Sequence, residues 1–85
     1  MEGKEAKLDA KSRELIGLGV SAQILCQYCV YSHMKKARAK GASEAEIREA
    51  VAAAATVRQW STVLNGMGYS FEAFKAELGG KQASN

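Results

Sequence analysis

Cys26 and Cys29 are the only cysteines of this 85-residue chain, and its single histidine, His33, follows four positions later. Residues three and four apart share a face of a helix. The spacing therefore predicts two neighbouring sulfurs with an imidazole one turn beyond Cys29. A disulfide is within reach at that separation, given suitable geometry at the first turn. The loop it closes is too short to restrain much of the unfolded chain, so the pair reads as working thiols and not as a staple. With Cys26 at the helix start, free amide groups and the helix dipole favour a negative sulfur there. An imidazole, titrating at about pH 6.5 when unperturbed, can carry a proton to or from Cys29, and as imidazolium it draws a neighbouring thiol toward thiolate. Together these groups supply an activated thiolate for thiol–disulfide redox chemistry.

An imidazole used in this way takes a partner on its other nitrogen, and Glu14 is the candidate. It lies beside Leu15 and Ile16, among apolar neighbours where an unpaired carboxylate is costly. Taken by itself, Glu14 is more simply a solvated surface glutamate; it reaches the cysteines only if its helix folds back on theirs. Two other chemistries compete. A structural zinc site needs four protein ligands, and Cys26, Cys29 and His33 supply three, the fourth having to come from a carboxylate or a neighbouring subunit. Covalent haem attachment needs histidine directly after the second cysteine, where this chain has Val30. The remaining alternative is a helical oligomerisation or binding module whose cysteines are buried, inert small hydrophobes. The redox reading calls for no cofactor and no metal.

The elements that must position these residues are helical. Proline is absent and 47% of residues are hydrophobic, ordinary for a globular domain and too high for a disordered one. The expected class is all-α: one domain spanning 1–85, with a core over about 8–78 and loose ends at 1–7 and 79–85. A first helix starts at the N-cap Asp9 and carries Leu15, Ile16, Leu18, Gly19, Ala22 and Leu25, with Val20 and Ile24 widening the arc. A second runs from near Cys26 to Lys40, with Gly41 beyond its end. A third opens on the capping box Ser43 and Glu46 and carries Ile47, Ala50, Val51, Ala54, Val57, Ser61 and Leu64 at helical spacing, stopping at Asn65 and Gly66. A short fourth is expected from Ser70 to Leu78, ended by Gly79 and Gly80. The small residues of Ala50–Ala55 suit a close helix crossing. Tyr28, Tyr31 and Trp60 are expected in the core or an interface, and Met34, Met67 and Phe71 in packing.

The formal net charge is +3, with a cluster at Lys35, Lys36, Arg38 and Lys40. Cations at a helix C-terminus complement the dipole, and no aromatic or motif support accompanies them, so no nucleic-acid partner is expected. No apolar run approaches the roughly 20 residues of a membrane span. Met1–Lys7 is too charged for a secretory signal, so a cytoplasmic location is expected. A chain this short hides only about 60–65% of its unfolded surface, and its apolar first and third helices exceed the needs of one small core. Burial of that surplus between copies is the simplest solution.

Glu14, eleven intervening residues, Cys26-x-x-Cys29, three more residues and His33 together resemble the core motif of the carboxymuconolactone decarboxylase and alkylhydroperoxidase D superfamily. The flanks agree, with Leu8-Asp9-x-Lys11-Ser12-Arg13-Glu14-Leu15-Ile16 before the motif and Lys35-Lys36-Ala37-x-x-x-Gly41-Ala42-Ser43-x-x-Glu46-Ile47 after it. The likeness covers roughly residues 8–66. It implies a helical homo-oligomer, a trimer or hexamer with sites near subunit contacts, and an antioxidant peroxidase (peroxiredoxin) activity on small hydroperoxides. By the same resemblance Cys29 meets the peroxide, Cys26 resolves, and His33 with Glu14 moves the proton. A lipoyl- or thioredoxin-like dithiol then restores the pair. The chain departs from the best-known peroxidase branch at Tyr28, where that branch has histidine. Lactone-decarboxylating members generally lack the cysteine pair, so that activity is not expected.

Overall fold

The computed structural model describes residues 7–82. The described chain forms α1 (Ala10–Gln23), α2 (Gln27–Ala39), α3 (Glu44–Gly66) and α4 (Phe71–Gln82). The all-α class follows, and no strand occurs among the described residues. The loose lead and tail expected at 1–7 and 79–85 fall largely outside the described residues. Residues 79–82 form the last turn of α4.

The helix starts are those the residue types dictate. Asp9 caps α1 by accepting the Ser12 amide at 2.8 Å. At α3, Ser43 Oγ accepts the Glu46 amide at 3.0 Å while Glu46 Oε1 accepts the Ser43 amide at 2.9 Å, closing both halves of the capping box. The last turn of α2 carries Lys36 and Arg38. Arg38 also forks onto Glu44 at 2.7 and 3.0 Å, which raises the guanidinium pKa and lowers that of the carboxylate.

Three helix ends share one construction. At α2 the Ala42 amide reaches back to the Ala37 carbonyl and the Gly41 amide to Arg38; at α3 Tyr69 reaches Leu64 and Gly68 reaches Asn65. This paired bonding is the Schellman motif, which puts its C′ residue in the left-handed region. Gly41 (φ 96°) and Gly68 (φ 68°) occupy that place. The α1 end has the same bonds, Cys26 to the Ser21 carbonyl and Leu25 to Ala22, but its C′ residue is Leu25, at φ 59°.

Two expectations are corrected. Leu25 is not part of the first helix; it is the turn residue after it. The third helix ends at Gly66 as expected, its C-cap is Met67, and Gly68 beyond it is left-handed; a helix ends where a residue takes that conformation and not wherever glycine occurs. For the same reason α4 continues through Gly79 and Gly80 to Gln82, an interior glycine costing only about 1 kcal/mol relative to alanine.

α1 packs on both α2 and α3. Lys11 pairs with Glu46 at 3.0 Å, and the Gln23 side-chain amide donates to the Ala54 carbonyl. Between these ties Gly19 lies against Ala50 and Ala54, the close crossing that the small residues of α3 permit. Leu18, Ala37 and Ile47 are the buried apolar side chains among the described residues. Most positions expected on the inner faces of the first and third helices are therefore only half-covered or exposed, and Tyr28, Tyr31, Trp60, Met67 and Phe71 lie outside this core.

Candidate active site

The turn at Leu25 sends α2 back along α1 and places Cys26 at the N-cap of α2. Cys26 and Cys29 are joined by a disulfide, with their Cα atoms 5.3 Å apart, inside the usual span for such a bond. Cys26 Sγ also accepts the Cys29 amide at 3.2 Å. The same sulfur, reduced, faces the free amides of a helix start, the setting that favours thiolate.

His33 follows Cys29 by one turn of α2. Its Nδ1 lies 2.8 Å from Glu14 Oε1 across the α1–α2 contact. The Glu14 side chain is 17% exposed and that of His33 34%, so the pair is largely withdrawn from water. An ionised carboxylate only accepts. Nδ1 therefore carries the hydrogen of this bond, and Nε2 is the nitrogen left to exchange a proton. Of the two readings of Glu14, the solvated surface glutamate is set aside: it is folded against His33. The structure thus brings Glu14 to His33, and Cys26 to Cys29, on adjoining turns of one hairpin.

Two further residues shape this site and were not singled out from sequence. Gly17, one turn after Glu14, lies under the imidazole; a Cβ there would stand 2.6 Å from His33 Cε1 and 2.7 Å from Nδ1, so the bare backbone lets the ring lie against α1. Its signal was legible, since Gly17 and Glu14 are three apart and face the same neighbour. Leu25 gave no such signal. Leucine is a poor choice for the left-handed region, at a cost of roughly 1–2 kcal/mol, yet here it directly precedes Cys26 as a residue 89% exposed. Beside it an apolar trough of about 470 Å³, floored by Ala22, Val30 and Met34, opens onto Cys26. Tyr28 is 78% exposed and has no hydrogen-bond partner among the described residues.

Among the described residues no three His, Cys, Asp or Glu side chains are grouped as a metal would need. No helix of the described chain is long and apolar enough to cross a membrane.

Residues 1–71 match the profile of the carboxymuconolactone decarboxylase family. Among curated proteins, "Uncharacterized protein 4 in cox locus" of Paracoccus denitrificans is similar, 35% identical over 54 residues, which cover 64% of this chain and 49% of that protein. The matched segment spans about half of that relative's length. No solved structure matches.

Proposed function

The chain belongs to the carboxymuconolactone decarboxylase family, and from that premise we propose that it is a thiol-dependent peroxidase that reduces small hydroperoxides with the Cys26–Cys29 pair. The observation that carries this reading is the Cys26–Cys29 disulfide at the start of α2, with His33 one turn on and bonded to Glu14.

In the reduced protein His33 takes the Cys29 proton on Nε2, and Glu14 holds the resulting imidazolium through Nδ1. Cys29 thiolate attacks the distal peroxide oxygen. The O–O bond breaks, an S–O bond forms, and the departing alkoxide takes the proton from His33 and leaves as an alcohol. Cys29 is then a sulfenic acid. Cys26, favoured as thiolate by the Cys29 amide, attacks the Cys29 sulfur; the S–S bond forms and hydroxide leaves, to be protonated to water. A lipoyl- or thioredoxin-like dithiol returns the pair to thiols by two exchange steps, its own sulfurs ending as the disulfide. A reducing cytoplasm is the compartment in which such a donor is at hand.

Tyr28, where the best-known peroxidase branch carries histidine, leaves His33 as the imidazole of this site. The chain is therefore expected to rely on the Glu14–His33 relay more heavily than a protein with two imidazoles.

The test is steady-state turnover of an organic hydroperoxide with dihydrolipoamide or reduced thioredoxin as donor, run in parallel with a model disulfide as oxidant. Hydroperoxide-dependent oxidation of the donor, lost in Cys29→Ser, is the expected result. Turnover of the disulfide alone contradicts the peroxidase reading, and absence of both contradicts the redox reading altogether.

A further inference from the structure

Arg58 is an isolated charge. From Leu15 to Ser32, most of α1 and the start of α2, no residue carries a formal charge, and between Ala50 and Phe71 Arg58 is the one that does. Among the described residues no carboxylate is paired with it. The side chain is nevertheless held in place. Arg58 Nε donates to Gln23 Oε1 at 3.1 Å, and the Gln23 side-chain amide is itself anchored on the Ala54 carbonyl. With Nε engaged in this way, the two terminal Nη groups are left for a ligand. A guanidinium offers such a pair as a planar fork that takes a carboxylate through two parallel hydrogen bonds.

Arg58 and Gln23 line a groove of about 460 Å³ between α1 and α3 whose other walls, Val51 and Ala55 among them, are apolar. Ala22 and Leu25 belong both to this groove and to the trough that opens onto Cys26, so the two hollows meet at Leu25. Gln23 and Cys26 are three residues apart, at most about 10 Å. A short path therefore runs from a positioned cation, over an apolar floor, to the redox sulfurs. It matches a molecule with one negative head and an alkyl body. An uncharged small hydroperoxide makes no use of the cation.

We propose that Arg58 determines substrate preference by binding the carboxylate of a fatty-acid hydroperoxide, whose alkyl chain crosses Leu25 to present the –OOH group to the Cys26–Cys29 pair. The inference rests on the peroxidase reading and names the substrate class of that site. The chemistry is unchanged: the O–O bond breaks, the two thiols become the disulfide, and a hydroxy acid and one water leave. The groove is assigned to the hydroperoxide because a free small molecule is held only by what the site itself supplies, whereas a dithiol carried on a protein brings its own docking surface. Leu25, 89% exposed, then has apolar contact with the chain that passes over it.

Binding and turnover test this separately, both with the full chain. Decanoate carries the head and chain without the peroxide. Titration calorimetry is expected to show it binding more tightly than decanol, with Arg58→Gln weakening it about fivefold, the scale of one solvent-exposed ion pair. In steady state with dihydrolipoamide as donor, linoleic acid hydroperoxide is expected to exceed its methyl ester about fivefold in kcat/KM, through KM and not kcat. That ratio should fall toward one in Arg58→Gln and be partly kept in Arg58→Lys, which retains the charge without the fork. Arg58 is exposed, so both variants should keep their helical circular dichroism; if Arg58→Gln does not, Arg58→Lys is judged by the same ratio. Equal turnover of acid and ester, or decanoate binding indifferent to Arg58→Gln, overturns the proposal and leaves the peroxidase reading standing when cumene hydroperoxide is reduced. A change confined to the KM of the donor also overturns it. Failure to reduce any of these hydroperoxides overturns both.

Discussion

In the α1–α2 hairpin Glu14 holds His33, Ser21 Oγ donates to the Gly17 carbonyl at 2.6 Å, and Cys26 Sγ takes the Cys29 amide. Along the distal half of α3 and in α4, by contrast, Val57, Trp60, Met67 and Phe71 stand in solvent. The long-range polar ties, Lys11 to Glu46 and Gln23 to Arg58 and Ala54, lie at or before residue 58. The hairpin is positioned by bonds within one chain, so the order of its reacting groups is built locally. The arm carries apolar area with no internal use. Chemistry and stability should therefore fail separately under mutation.

The largest effect tests the hairpin at its centre. Cys29→Ser is expected to abolish hydroperoxide turnover, whereas Cys26→Ser permits a single oxidation per chain with no recycling; rapid-quench counting of alcohol formed per chain separates the two. His33→Ala comes next, slowing the reaction by about 100-fold and moving the pH optimum upward, because the thiol must then ionise without an imidazole. An unchanged pH–rate profile removes the relay. Gly17→Val should act in the same direction and by less, since the branched side chain displaces the ring from Glu14 without deleting it. The same upward shift of the optimum distinguishes displaced imidazole from general loss of fold.

Leu25→Gly sharpens the contrast between the two regions. Glycine relieves the left-handed strain, and the fold should gain about 1 kcal/mol, or several degrees in thermal midpoint. A gain in midpoint with turnover unchanged would leave Leu25 without a role in the chemistry. The smallest effect concerns acid stability. Glu46 is held below the ordinary glutamate range, first by the Ser43 amide and then by Lys11. Asp9 is held low chiefly by Ser12. A carboxylate whose pKa is lower folded than unfolded contributes stability above its unfolded value, and loses it as pH falls through the folded one. Glu46→Gln should therefore flatten the acid limb of a stability–pH curve measured by urea unfolding.

What could be read without coordinates was whatever rests on local bonding. Asp9, Ser43 with Glu46, and Gly41 announce helix ends because the side chain or the bare Cα satisfies neighbouring backbone groups. Cys26, Cys29 and His33 share a face by helical spacing alone. Glu14 was only half legible, since its meeting with His33 depends on how α1 and α2 are joined, and that joint is made by a leucine doing what glycine does after α2 and α3. Two glycines misled in the other direction: Gly79 and Gly80 lie within α4, because nothing at those positions demands the left-handed conformation. The aromatic residues were expected in the core or an interface; among the described residues the buried apolar side chains are Leu18, Ala37 and Ile47, so Trp60 and Tyr28 lie outside the core of the single chain.

The central claim is that the two sulfurs are reversibly oxidised by peroxide. It is tested most directly by intact-mass analysis of the reduced chain, alkylated before and after one equivalent of hydroperoxide. The expected result is two alkylated thiols before, none after with a mass lower by two hydrogens, and both restored by a dithiol. Two thiols still open to alkylation after peroxide would contradict it.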